Sequence, residues 1–195
     1  MSDQKRPYRK KRRAELEEQT RQRITESAVE LHGSVGPAAT SMSAVAERAG
    51  VRRSTLYRHF KDEGALFEAC SAHWAAENPP PDLDAWAAIA DPDERLRTAL
   101  EEIYAYWRRN ERMISNLLRD ESTNEHVRRQ FGAFRAYLDQ AQETLVQGRR
   151  ERGQARARVR AAIGHALAFS TWRSLVREQG LGNAQAAQLI SGLLR

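Results

Sequence analysis

A single cysteine, Cys70, in 195 residues excludes an internal disulfide framework and fits a reducing compartment. No apolar run reaches the roughly 18 residues that a membrane-spanning helix needs. The basic N-terminus is not followed by the hydrophobic segment of a secretory signal. A cytoplasmic protein without a membrane partner is the expectation. No stretch alternates like a strand and no internal repeat is present. Gly148 and Gly153 stand alone, so there is no glycine-rich loop to cradle a phosphate. Cys70 and His73 share a helix face, but nothing at local spacing completes the four ligands of a structural zinc. No nucleophile has a base and an orienting group beside it. Neither a metal, a cofactor nor an enzyme activity is expected.

What is present is unevenly placed. Residues 1–60 carry 13 Lys/Arg against 7 Asp/Glu, whereas residues 61–195 carry 19 of each. The whole net charge of +6 therefore lies in the N-terminal third. A basic lobe on a neutral body is the electrostatic footprint of nucleic-acid binding. The same third holds residues 41–60, SMSAVAERAGVRRSTLYRHF, in which two short helix patterns meet at Gly50. Val45, Ala46 and Ala49 face the interior from the first helix; Val51, Leu56 and Phe60 do so from the second. Gly50 supplies the positive φ that ends a helix cheaply. Arg53, Ser54, Thr55, Tyr57, Arg58 and His59 remain outside, as donors for phosphates and base edges.

Residues 1–13 are almost without apolar side chains and read as a flexible basic arm. Residues 14–77 read as the helix-turn-helix domain. Ile24, Ala28 and Leu31 form the face of its first helix, stopped by Gly33 and Gly36-Pro37. Ser41 caps a helix over 42–49, a second follows over 53–60, and Asp62 caps a fourth over 63–76. Asn78-Pro79-Pro80-Pro81-Asp82 marks the boundary to a larger domain, 83–195, helical throughout. There Asp91-Pro92-Asp93-Glu94 starts a helix striped by Leu96, Ala99, Leu100, Ile103 and Trp107. Met113–Leu118 reads as a shorter element, and Val127–Leu145 as a long amphipathic helix. Residues 149–160 read as an arginine-rich turn, 161–175 as a helix apolar on all sides, and 184–194 as the last helix. The fold class is all-α.

The order of a basic arm, one helix, this helix-turn-helix and an all-helical remainder resembles the TetR family of bacterial transcriptional regulators. The resemblance is carried by Thr40-Ser41, Val45-Ala46, Ala49-Gly50-Val51 and Thr55-Leu56-Tyr57-Arg58-His59-Phe60, within Ile24–Ala69. It implies a homodimer with two DNA-binding heads, a helical ligand-binding and dimerisation domain, and repression relieved by a small molecule. Two positions depart from the family pattern. Arg52 stands where a Ser or Thr usually opens the recognition helix, and Glu63 where many members hold a phosphate with a Lys. Lys61, two residues earlier, is the candidate to replace that contact.

The candidate DNA-binding residues are Ser43, Arg52, Arg53, Ser54, Thr55, Tyr57, His59 and Lys61. Arg53 and Arg52 open the recognition helix, where an arginine either pairs with guanine O6 and N7 or holds a phosphate. The hydroxyls of Thr55 and Tyr57 suit phosphates, and Ser43 sits at the start of the preceding helix. His59 resembles a backbone-contacting position of the family. Tyr104, Trp107, Phe131, Phe134, His165, Phe169 and Trp172 are the candidates to line a pocket for a small apolar or aromatic effector, with ordinary core packing the alternative. Residues 159–176 and 184–194 are the candidate dimer surfaces, with Ala162, Ala166 and Ser170 as small residues at four-residue steps. A DNA-organising or adaptor protein of the same fold, sensing no ligand, is the rival reading.

Overall fold

The computed structural model describes residues 5–194, and among these there is no strand. Two compact units are present. One takes the chain up to Asn78 together with Arg112–Gln130; the other takes Pro79–Glu111 and the chain from Phe131 onward. The first unit therefore includes a stretch, from Arg112, that lies well beyond the proline-rich boundary read from the sequence.

In the first unit, helix α1 spans Lys5–Ser34. The start of the basic arm, residues 1–4, lies outside the described residues. From Lys5 onward the arm is helical rather than free chain. Arg, Lys and Glu are good helix formers, and Pro7 falls in the first turn, where no N–H is required. Arg13 also pairs with Glu17 one turn on, at 3.1 Å. A 3₁₀ turn, Pro37–Ala39, leads to α2 (Met42–Arg48), α3 (Arg53–His59) and α4 (Glu63–Glu77). Helix α1 packs on α2, α3 and α4. Ile24, Ala28, Val45, Leu56 and Phe60 form the centre of this core, all essentially without solvent exposure.

The C-terminal end of α1 is closed from far along the chain. The Asn116 amide donates to the His32 carbonyl (2.9 Å) and the Gly33 carbonyl (3.0 Å). Arg112 donates to the Ser34 carbonyl (3.2 Å) and Arg119 to that of Val35 (2.8 Å). The Asp120 carboxylate accepts from the Ala38 N–H at 3.0 Å and from Arg119 at 2.7 Å. These side chains take up carbonyls that a helix end leaves unpaired.

His32 is buried in the same place. Its Nδ1 lies 3.4 Å from the Cys70 sulfur, and its ring centroid 5.3 Å from that of Phe67. Burial pushes the imidazole down to about 4, against the pull of the Asp120 carboxylate, and pushes the Cys70 thiol up to about 12. At pH 7 His32 is neutral in both the folded and the unfolded chain. Below the ordinary value of 6.5 the unfolded chain takes up a proton that the native one refuses until about pH 4. Stability is thus lost as pH falls through this window, by about 1.4 kcal/mol per pH unit from this group. Between pH 7 and 5 the wild-type chain is expected to lose about 2 kcal/mol more than His32→Asn, read from chemical unfolding curves. Parallel losses in the two proteins would refute a neutral, buried His32.

In the second unit the order is α5 (Leu83–Ala87), α6 (Pro92–Asp120) as far as Glu111, and α7 (Glu125–Val146) from Phe131. Then come α8 (Gly153–Leu167), α9 (Phe169–Arg173), a π-helical turn (Ser174–Glu178) and α10 (Asn183–Leu193). Met113–Leu118 is not a separate element but part of α6, which runs unbroken through the polar stretch Arg108–Arg112. The segment 161–175 is not one helix. Ala168 adopts an extended conformation, φ −66° and ψ 138°, and separates α8 from α9. Nor is the segment apolar on every side, since Ala161, His165, Ser170 and Arg173 face solvent. The break also ends the regular spacing of Ala162, Ala166 and Ser170.

The break at Ala168 has a physical cause. The Ala166 and Leu167 carbonyls, freed from the helix ladder, accept from the Tyr104 hydroxyl (3.0 Å) and the Trp107 indole N–H (3.2 Å). Thr171 Oγ1 closes the turn on the His165 carbonyl at 2.6 Å. Two buried arginines brace the other end of this unit. Arg95 donates to the carbonyls of Ile89, Thr144 and Gln147 at 2.7–3.0 Å. Arg149 pairs with Asp93 at 3.2 Å and reaches the Pro92 carbonyl.

Candidate nucleic-acid interface

The two short helices of the head are set by local chemistry. The Ser41 side chain accepts from the Ala44 N–H (3.1 Å) and opens α2. Gly50, at φ 64°, ends it, and the Val51 N–H returns to the Ala46 carbonyl at 2.9 Å. Asp62 accepts from the Ala65 N–H at 2.7 Å and opens α4. Arg52 is the residue before α3, with extended backbone and no side-chain cap. Its guanidinium is left outside for another use.

Arg52 ahead of α3 and Arg53, Ser54, Tyr57 and Arg58 on it are exposed, Thr55 and His59 are half-buried, and Leu56 is fully buried. One turn of helix thus divides cleanly into a core side and a donor-rich side. The Arg53 guanidinium lies 5.8 Å from the centre of the Tyr57 ring, a cation–π contact that orders both side chains. Ser43 is exposed at the start of α2. Lys61 is exposed, with the Asp62 carboxylate 3.9 Å away, and Glu63 is exposed beside it. The loop between α3 and α4 and the first residue of α4 therefore carry one cation and two carboxylates.

His59 differs from its exposed neighbours. Its Nε2 is shut off from solvent and has no hydrogen-bond partner among the described residues. Burial first, then the cations of Arg58 and Arg21, hold the imidazole below the ordinary histidine range, against Glu17 and Glu18. A neutral ring at neutral pH is the consequence.

Two residues that sequence reasoning passed over hold this head together. The Arg21 guanidinium donates to the His59 carbonyl at 2.9 Å and lies 4.3 Å from the centre of the Phe60 ring. Arg23 Nε donates to the Ala49 carbonyl at 2.9 Å. Each places a cation of α1 on the C-terminal end of a helix of the motif, where the backbone dipole favours it. The available signal was their place within one turn of Ile24, on a helix whose apolar face had already been read.

The seven aromatic and histidine candidates of the second unit are only partly brought together. Trp107 meets Phe134 and Phe169, each at 5.5 Å between ring centres. Phe131 meets Phe134 at 5.9 Å, and Phe169 meets Trp172 at 5.2 Å. Tyr104 is fully buried, and His165 lies exposed on α8. The Trp172 N–H donates to Asn183 Oδ1 (3.1 Å), whose amide donates in turn to the Tyr104 carbonyl (3.1 Å). The rings fill space against one another, with their polar atoms committed to partners. Cys70 and His73 diverge: the thiol turns inward to His32, and His73 pairs with Glu77 at 3.5 Å. No helix of the described residues is long and apolar enough to cross a membrane.

An all-α protein with a helix-turn-helix head built to present donors to a nucleic acid is the class this geometry defines. Residues 24–70 match the family described as bacterial regulatory proteins, tetR family. The HTH-type transcriptional regulator AcrR of Shigella flexneri is 42% identical over 50 residues, which are 26% of this chain and 23% of that protein. The match thus spans about a quarter of the curated relative. The solved TetR-like transcriptional regulator from Rhodococcus sp. RHA1 has a similar fold over 90% of this chain and 93% of its own, at 21% identity and a TM-score of 0.63. FadR from Bacillus subtilis, solved in complex with stearoyl-CoA, is similar over 89% of this chain and 96% of its own, at 19% identity and a TM-score of 0.61. Over residues 24–70, the stretch that holds the helix-turn-helix, the chain is thus similar to the tetR family, and over most of its length it shares the fold of these regulators.

Proposed function

We propose that the protein is a transcriptional repressor that binds an inverted-repeat operator as a homodimer and leaves it when a small apolar molecule binds the second unit. The observation that carries the DNA-binding part is the division of α3 into a buried Leu56 side and an exposed side of Arg52, Arg53, Ser54 and Tyr57. With α3 in a major groove, Arg53 reads a guanine edge, and Arg52, freed from capping, holds the base or phosphate beside it. Ser43, Thr55, Tyr57, His59 and Lys61 contact the backbone, Lys61 in place of a lysine at position 63. Dimerisation through 159–176 and 184–194 is supported by the exposed Leu189 and Leu193 of α10, the latter 72% accessible. The effector is supported by a protein of similar fold that was solved with stearoyl-CoA.

Selection of bound sequences from a random duplex pool tests this reading. The wild-type chain is expected to recover a palindrome. Arg53→Ala is expected to lose about 1–3 kcal/mol of discrimination at one symmetric pair of positions, as a missing bidentate contact does. Recovery of unpatterned sequences by the wild type would defeat the operator model.

The mutual packing of Trp107, Phe134, Phe169 and Trp172 favours a second reading, a DNA-binding adaptor that senses no ligand. A panel of apolar ligands, fatty acyl-CoA included, separates the two. Release of operator DNA together with a change in tryptophan fluorescence supports the sensor; unaltered binding across the panel supports the adaptor.

A further inference from the structure

Helix α1 carries one continuous stripe at steps of three or four residues: Lys10, Arg13, Glu17, Arg21, Ile24, Ala28 and Leu31. Its C-terminal half is the side that faces the head. Ile24 and Ala28 are fully buried, and Arg21 lies on the His59 carbonyl and the Phe60 ring, at the end of α3. The same face therefore extends past the end of the recognition helix and there becomes basic. At a rise of about 1.5 Å per residue, Arg13 lies about 12 Å and Lys10 about 17 Å beyond Arg21 along the axis. Lys11 and Arg12 point more than roughly 100° away from that face, by the helical repeat.

This part of α1 stands without support of its own. Tyr8 and every residue from Lys10 to Gln19 are exposed. A helix polar on all sides and unpacked is marginal, and neighbouring cations of one sign repel. Arg13 has an exposed partner in Glu17, a contact of little energy that a phosphate readily replaces. A major groove is about 12 Å wide, a span comparable to the length of α1 beyond Arg21. We propose that residues 10–13 form a second, helical DNA contact in which Lys10 and Arg13, on the stripe, hold phosphates of the duplex outside the groove occupied by α3. The inference rests on the DNA-binding reading of the head. It replaces a flexible arm with an element of defined face.

The test uses two variants of the full chain with equal charge loss, Lys10→Ala/Arg13→Ala and Lys11→Ala/Arg12→Ala. Binding to a 30-base-pair duplex of arbitrary sequence is followed by anisotropy across a salt series, as sketched by the slope of about −0.9 per phosphate contact. The first variant is expected to flatten the salt slope by about two units; the second is expected to change it by less than about half a unit. Unchanged melting temperatures keep folding out of the comparison. Equal losses in the two variants would mean a diffuse cloud of charge and overturn the helical contact, as would no loss in either. Arg52→Ala/Arg53→Ala separates the levels. If the wild type binds and only this pair weakens it, the stripe contact falls and the head reading stands. If the wild type does not bind duplex DNA, both fall together.

Discussion

Gly36→Ala is expected to destabilise the protein by roughly 2–4 kcal/mol, the sum of backbone strain and the loss of a partly buried hydrogen bond. Gly36 adopts φ 97° and ψ 158°, a region that side chains with a Cβ essentially do not enter. An added methyl would also meet Arg119 Nη2 at 2.0 Å and Asp120 Oδ2 at 2.6 Å. Neither neighbour can move freely. Arg119 holds the Val35 carbonyl, and the buried Asp120 carboxylate holds the Ala38 N–H. Displacing them exposes the Val35 carbonyl to water, at little cost, and takes the partner from the partly buried Ala38 N–H, at about 1 kcal/mol. Gly132→Ala is the control. Gly132 sits within α7 with nothing within 4 Å of an added Cβ, so alanine there is expected to be neutral or to stabilise by up to about 1 kcal/mol. Denaturant unfolding of both variants gives the comparison; equal midpoints would refute the account of Gly36.

Arg95→Met is expected to cost a similar amount, about 3–5 kcal/mol, in spite of removing a buried charge. Arg95 is 6% exposed and spends four hydrogen bonds on three carbonyls. Two of these, from Thr144 and Gln147, lie at and just past the end of α7, where the only backbone contact to Thr144 is a long one of 3.4 Å from the Gln147 N–H. Methionine fills the volume and satisfies none of them. Arg95→Lys is expected to recover little, because an ammonium is a point donor and cannot span carbonyls on two elements. The measurement is the denaturant midpoint at constant slope. A lysine variant as stable as the wild type would show that charge alone, and not the planar fork, braces the unit.

How far such features can be read from sequence depends on the reach of their causes. The helix-turn-helix was legible because its determinants are local. The Ser41 and Asp62 caps, the positive φ of Gly50 and the inward Leu56 and Phe60 all depend on neighbours a few residues away. The missing cap at Arg52 was legible for the same reason. The continuity of α6 was not, because the polar run Arg108–Arg112 interrupts an apolar stripe without breaking the backbone. The break at Ala168 has no Gly or Pro to announce it; it depends on donors from Tyr104 and Trp107, some 60 residues earlier. The closure of α1 by Asn116, Arg119 and Asp120 is as remote. Sequence patterns name which side chains of α3 face outward, and they are silent on what distant side chains do to helix ends.

The closure of α1 bears on how chains of this fold can be recombined. A hybrid that joins residues 1–78 to a foreign body would inherit α3 but not the donors at Arg112, Asn116 and Arg119, nor the acceptor at Asp120. The transplantable cassette is discontinuous. It must include 112–130, and a swap drawn at the proline-rich junction cuts through it. Exchange of heads between chains of this fold by simple crossover is then limited to partners whose sixth helix ends in the same four polar residues.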